Sequence, residues 1–130
     1  MNREEYLIRL SMLEQEANKI EEQIGIISQQ INELEVLKSS LKNLDRNEKR
    51  ELLAPLGRGI FFKSELKEKE LFVNVGQGIV VKKSPEETAE IIERQVSQLG
   101  EIKEQLITNI SEVRMQLEDV VEQARQEKDN

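Results

Sequence analysis

The sequence predicts a mainly α fold with a small β insert: an antiparallel two-helix coiled-coil hairpin joined by two β-hairpins that assemble into an oligomeric β-barrel. Three observations point there. Apolar residues step alternately by four and three through both ends of the chain, which is the heptad pattern. The middle changes to a strand-like composition punctuated by paired glycines. Of 130 residues, 35% are charged and only 3% aromatic, with one Tyr, three Phe and no Trp. That is too little bulk for a thick globular core. The 37% of apolar residues is nevertheless more than a disordered polyanion carries, and it suits long helices burying a narrow stripe.

The first helix is read over residues 3–44, which hold no Pro and one Gly. Leu10, Ala17, Ile24 and Ile31 take the a positions. Tyr6, Leu13, Ile20, Ile27, Leu34 and Leu41 take the d positions. The next a position is Lys38, while Leu37 and Leu44 stand one residue early, so the stripe is expected to drift near the helix end, where it leaves its partner. The second helix is read over residues 85–127. Ala89, Val96, Ile110, Leu117 and Ala124, with Lys103 in the series, are a positions; Ile92, Leu99, Leu106, Val113 and Val120 are d positions. Its start is sharply signalled, with Ser84 as cap, Pro85 at the first helical position and Glu87 closing a capping box. At about 1.5 Å per residue each helix runs roughly 65 Å. Two equal helices around a compact insert favour pairing in cis, since one alone would leave its stripe in water. A parallel homodimer is the alternative, and it leaves the insert unexplained. Lys38 and Lys103 are expected to snorkel from the seam and to set its register. Gly25 and Gly100, inside the helices, either permit bending or are neutral; each costs about 1 kcal/mol relative to Ala.

The insert carries an internal repeat. Gly57-Arg58-Gly59-Ile60-Phe61-Phe62-Lys63 returns 19 residues later as Gly76-Gln77-Gly78-Ile79-Val80-Val81-Lys82. Each copy reads strand, Gly-x-Gly turn, strand, with Gly57, Gly59, Gly76 and Gly78 supplying the positive φ that tight hairpins need. Glu51–Leu56 with Ile60–Leu66 forms one expected hairpin, and Leu71–Val75 with Ile79–Lys83 the other. Pro55, lacking an N–H, suits an edge. Phe61, Phe62, Phe72 and Val80 fall on both faces of so thin a sheet, which marks it as an association surface. The residues expected to mediate assembly are Leu53, Leu56, Ile60, Phe62, Phe72, Val73, Val75, Ile79 and Val81, with closure into a barrel removing the edges. The alternative is a sheet folded back on the coiled coil, which offers little platform. The domain reading is one unit over 1–130: an N-terminal helix at 1–49, the hairpins at 50–83 and a C-terminal helix at 84–130.

Composition narrows the chemistry. With no Cys there is no disulfide, thiolate site or Cys nucleophile, and with no His the commonest general base and metal ligand are gone. No catalytic residue, metal site or cofactor is assigned, and the chain is read as a non-enzyme. A net charge of −7 disfavours nucleic acid. A charged N-terminus without an apolar run, and no span near membrane length, point to a cytoplasmic protein that neither enters nor crosses a membrane. The Gly-x-Gly turns match no phosphate-binding loop, since neither opens a helix. Glu4-Glu5, Glu86-Glu87 and similar pairs read as solvated surface. Lys63, Lys67, Lys69, Lys82 and Lys83 read as guards against edge aggregation.

Two stretches carry a family resemblance: Leu52 to Leu66, containing Leu52-Leu53-Ala54-Pro55-Leu56-Gly57-Arg58-Gly59, and Val73 to Ser84, containing Val73-Asn74-Val75-Gly76-Gln77-Gly78. The chain resembles the prefoldin family and, having two hairpins rather than one, its α-type subunit. The motif covers about 35 residues, and the layout covers the whole chain. Ala54 stands where the family often has Val, and Gln77 where a small residue is common. The absence of long disordered tails is archaeal-like. The resemblance implies a hexamer of two α-type and four β-type subunits, with a double-barrel body and projecting coiled coils. It implies an ATP-independent chaperone that captures unfolded polypeptides and passes them to a group II chaperonin. A structural scaffold or filament polymerising through the β insert is the alternative.

Antiparallel pairing places residues 3–13 near 117–127 at a free tip. Leu7, Ile8 and Met12 on one helix, and Met115 and Val121 on the other, lie off the seam. With a frayed Tyr6 and Leu10, and with Val120, they form the expected client-binding surface, where Met and flexible ends suit promiscuous partners. Off-seam Ile26, Val36, Ile91, Ile102 and Ile107 show that exposed apolar residues are not confined to the tip.

Overall fold

A computed structural model of the chain describes residues 2–46 and 51–129. The elements run α1 (Arg3–Arg46), β1 (Glu51–Gly57), β2 (Ile60–Glu65), β3 (Leu71–Gly76), β4 (Ile79–Lys83) and α2 (Pro85–Asp129). The expected boundary between first helix and insert, at 49/50, lies outside the described residues. The chain divides into two compact units, Met1–Asn32 with Ser97–Asn130, and Glu33–Val96.

In the first unit, α1 and α2 run antiparallel, as the Glu21–Arg114 ion pair and the Tyr6–Glu127 interaction require. The core is the heptad seam. Tyr6, Leu13, Ala17, Ile20, Ile110, Val113 and Val120 are buried, and Leu10, Ile24, Leu106, Leu117 and Ala124 pack half-buried against them. Every one of these is an a or d position, so the period read from the sequence is the one that selects the core. Burying such a side chain is worth about 1.5–3 kcal/mol. The N-terminal turn is closed by a capping box that sequence reading passed over. Glu5 N donates to Asn2 Oδ1 at 2.9 Å, and Asn2 N donates to Glu5 Oε2 at 3.2 Å. The expected fraying is therefore corrected: the helix starts at Arg3, Tyr6 N donates to Asn2 O, and Tyr6 sits in the seam.

In the second unit the seam continues with Leu41 and Ile92 buried. The expected drift is absent at Leu37 and present at Leu44, which is half-buried one residue ahead of the next a position. Leu37 is exposed while Lys38, one residue on, stays half-buried at its a position, so the frame holds through Leu41. The start of α2 is the capping box anticipated at Ser84: Glu87 N donates to Ser84 Oγ at 3.1 Å, and Ser84 Oγ donates to Glu87 Oε1 at 3.1 Å. Thr88 Oγ1 adds a bond to Ser84 O at 2.8 Å.

The hairpins are separate two-stranded antiparallel sheets, β1–β2 and β3–β4. No barrel closes among the described residues of one chain. Turns between strands have two central residues, Arg58-Gly59 (φ 51° and 79°) and Gln77-Gly78 (φ 53° and 75°). Positive φ at both positions is the mark of a type I′ turn, whose twist matches that of the strands. Each first strand shifts register beside its turn, between Pro55 and Gly57 and between Asn74 and Gly76. Bulge glycines Gly57 and Gly76 take φ of 137° and 110°, closed to most L side chains. The glycine pairs thus serve a bulge and a turn, and the strands β1 and β3 run one residue longer than the sequence suggested.

Candidate functional site

The hairpins present apolar side chains on both faces. Cross-strand partners share a face. Ala54 opposite Phe62 and Leu52 opposite Ser64 define one face of the first hairpin; Pro55 opposite Phe61 and Leu53 opposite Lys63 define the other. In the second, Val73 opposite Val81 and Leu71 opposite Lys83 share one face, and Phe72 opposite Lys82 and Asn74 opposite Val80 the other. Leu53, Leu56, Ile60, Phe62, Phe72, Val75 and Ile79 are all exposed, as are Phe61 and Val80. Val73 and Val81 are half-buried against each other. Ser64 Oγ donates to Leu52 O at 3.2 Å, and Lys82 Nζ lies 5.6 Å from the centre of the Phe72 ring while pairing with Glu70 at 3.7 Å. Lys63 and Lys82 thus stand across from apolar Leu53 and Phe72 on the two hairpins.

The second candidate surface is the end of the first unit where α1 begins and α2 finishes. Leu7, Ile8, Met12 and Met115 are exposed, Met12 and Met115 by 65% and 64%, and Val121 is at the margin. Leu10 is half-buried. Tyr6 and Val120, expected among the binding residues, are instead seam residues exposed by only 8% and 3%, because both occupy d positions and the seam holds to its end. Burial, with a hydrogen bond to the Glu127 carboxylate, raises the Tyr6 phenol above its usual range. Ile8 and Met12 lie a turn apart and share a shallow depression with Glu5, Arg9, Leu13 and Glu16. Leu7 sits in another with Arg3, Tyr6, Leu10, Ala124 and Glu127. Both depressions are open to solvent. Among the described residues no group of acidic side chains could hold a metal ion, and no helix is long and apolar enough to cross a membrane.

In the second unit Lys38, expected to snorkel and to set the register of the seam, reaches Glu93 of α2 at 3.0 Å and Glu35 at 3.8 Å. The hydrogen bond to Lys38 lowers the Glu93 carboxyl, and the hydrogen bond to Glu93 raises the Lys38 ammonium. A lowered carboxyl stabilises the fold above the ordinary carboxylate range, and that contribution is lost as pH falls through it. A raised ammonium stabilises below the ordinary lysine range and is lost as pH rises past it. The melting-temperature difference between the chain and its Glu93→Gln variant is therefore expected to be small at neutral pH, to vanish in acid and to shrink in high salt. A difference that persists in acid would mean the pair does not carry it.

Comparison with known proteins agrees with this architecture. A family model described as Prefoldin subunit matches residues 13–129. The prefoldin subunit alpha of Methanobrevibacter smithii is 34% identical over 94 residues, 72% of this chain and 64% of that protein. The prefoldin subunit alpha of Methanosphaera stadtmanae is 27% identical over 90 residues, 69% of this chain and 65% of that protein. The match thus spans a little under two thirds of the length of these curated relatives. A solved structure of filamentous PFD from Methanocaldococcus jannaschii superposes with a TM-score of 0.56 at 22% identity, covering 93% of this chain and 98% of that one. At that identity the likeness is one of fold.

Proposed function

The chain belongs to the prefoldin family as an α-type subunit, and from that premise we propose that it is an ATP-independent holdase subunit, assembled through its hairpins and gripping non-native polypeptides at the helix ends. The observation that carries the reading is the exposed apolar surface on both faces of two unfused hairpins, which a lone subunit has no means to cover. Two copies of this chain with four β-type subunits close those edges into barrels. Leu7, Ile8, Met12, Met115 and Val121, backed by Leu10, hold clients by weak contacts repeated over several subunits, which raises avidity without a strong single site. Captured clients pass to a group II chaperonin in the cytoplasm. No residue is given a catalytic step.

Replacing those five exposed residues by Ser, in the chain assembled with a β-type subunit, is expected to lower its suppression of client aggregation several-fold in a light-scattering assay. An assembled particle with undiminished suppression would refute the tip as the client site. A second reading, polymerisation of this chain into filaments through its hairpins, is favoured by the filamentous form of the solved structural neighbour. Light scattering separates the two, since filaments lengthen with concentration of this chain alone and a closed hexamer needs the β-type partner.

A further inference from the structure

Oxidisable sulfur in this chain is confined to methionine. There is no Cys, and the three methionines are Met1, Met12 and Met115. Met12 and Met115 both lie in the first unit. Among the described residues they are the two most exposed of its large apolar side chains. Neither belongs to the seam: they occupy a c and an f position of the heptads, while Leu13 beside Met12 is buried. A thiolate is what a peroxide attacks first. With none present, two-electron oxidation falls on the thioethers, and these two are open to solvent. Their surroundings differ. Met12 shares its depression with Ile8, Glu5, Arg9, Glu16 and buried Leu13, so Ile8 and Met12 are its exposed apolar part. The residues one turn to either side of Met115 are Ser111, Glu112, Glu118 and Asp119, all exposed.

We propose that Met12 is an oxidative modification site that weakens the hold on clients when a hydroperoxide reaches it, with Met115 oxidised alongside at smaller cost to capture. The inference rests on the holdase reading and adds a control on the same surface. In the step, a lone pair of the Met12 Sδ attacks the terminal oxygen of the peroxide. An S–O bond forms and the O–O bond breaks. The proton of the transferred oxygen passes to the departing one, which leaves as water or an alcohol. Sulfur gives up two electrons and the peroxide gains them. The product, a sulfoxide, is polar and chiral where the thioether was apolar and pliable. At Met12 it leaves Ile8 as the one exposed apolar side chain of the depression, and an apolar client segment laid there must desolvate the S–O dipole without a partner for it. At Met115 the new dipole joins a face that is already polar. The seam loses nothing, so the fold persists while capture falls. Methionine sulfoxide reductases reverse the change at the expense of two thiols, which become a disulfide. Those thiols come from another molecule, since this chain has none.

The test treats the full chain alone with hydrogen peroxide, removes the peroxide with catalase and then assembles the chain with an untreated β-type subunit, so that only this chain is modified. The probe is reduced carboxymethylated α-lactalbumin, which stays unfolded. Peptide mass spectrometry is expected to find one added oxygen on Met12 and on Met115, at rates within about threefold of each other, as their like exposure requires. Capture of the probe is expected to fall about threefold or more, while the melting temperature moves by less than roughly 3 °C. Treatment with both epimer-specific sulfoxide reductases and dithiothreitol is expected to restore it. Each variant is compared with itself before oxidation. Met12→Leu is expected to hold its capture to within about 1.5-fold through the treatment, and Met115→Leu to lose most of what the unsubstituted chain loses. Met1 is common to all three chains and cancels from the comparison. Undiminished capture by the oxidised chain, an equal loss in Met12→Leu, or a loss that follows a fall in helix content would overturn the proposal and leave the holdase reading standing. Capture that is absent before oxidation would overturn both.

Discussion

A Phe62→Asp chain mixed with a β-type subunit is expected to remain dissociated, where the unsubstituted chain enters a particle several times larger. In the single chain Phe62 is 49% exposed and faces only Ala54 across the hairpin. Its loss therefore costs the hairpin one modest cross-strand pair, about 0.2–1 kcal/mol. In the closed assembly proposed above, the same position is expected to be covered by a neighbouring strand. A carboxylate without a partner there costs several kcal/mol, and the cost recurs at each copy of the joint. Size-exclusion chromatography with light scattering reads the result, and circular dichroism confirms that the helices persist. A particle of unchanged size and composition would remove Phe62 from the assembly surface. Phe61→Asp, on the opposite face, then asks whether both faces are covered: a barrel has a packed interior and a wetter exterior, so the two substitutions are expected to differ in severity.

The heptads were legible because burial in a helix pair is decided by period alone, and Tyr6, Leu13, Ile20, Ile110, Val113 and Val120 follow it without exception. The capping box at Ser84 and Glu87 was legible for the same kind of reason, since it needs only local residues. What required three dimensions was consequence. Tyr6 and Val120 were placed at seam positions and also among the binding residues; the seam wins, because Asn2 and Glu5 close the first turn and Glu127 holds the Tyr6 hydroxyl. The paired glycines announced hairpins but not their division of labour. In both turns a residue with a side chain, Arg58 and Gln77, adopts positive φ, and the preceding glycine serves the bulge. Lys38 read as a seam lysine seeking water; its partner Glu93 lies 55 positions along the chain, so no local pattern names it.

Ile110→Ala is expected to lower the melting temperature by roughly 8–12 °C, corresponding to about 2–3 kcal/mol for a chain of this size. Ile107→Ala, three residues earlier on the same helix, is expected to shift it by less than roughly 2 °C. The residue type and the helix are the same, so position alone separates them: Ile110 is 4% exposed at the seam and Ile107 46% exposed beside it. Truncating Ile110 removes transfer energy and opens a cavity. The loss is placed toward the lower end of the usual range because none of the described side chains is fully buried, so a two-layer seam lets water and neighbours relax into the gap. Alanine is also the better helix former, by a few tenths of a kcal/mol, which trims the cost at Ile110 and cancels most of it at Ile107. Run in a Phe62→Asp background, both melts are expected to be independent of protein concentration, since the partner helix belongs to the same chain. Equal shifts at the two positions would mean that the seam is not where the helices meet, and a concentration-dependent midpoint would mean that they meet between chains.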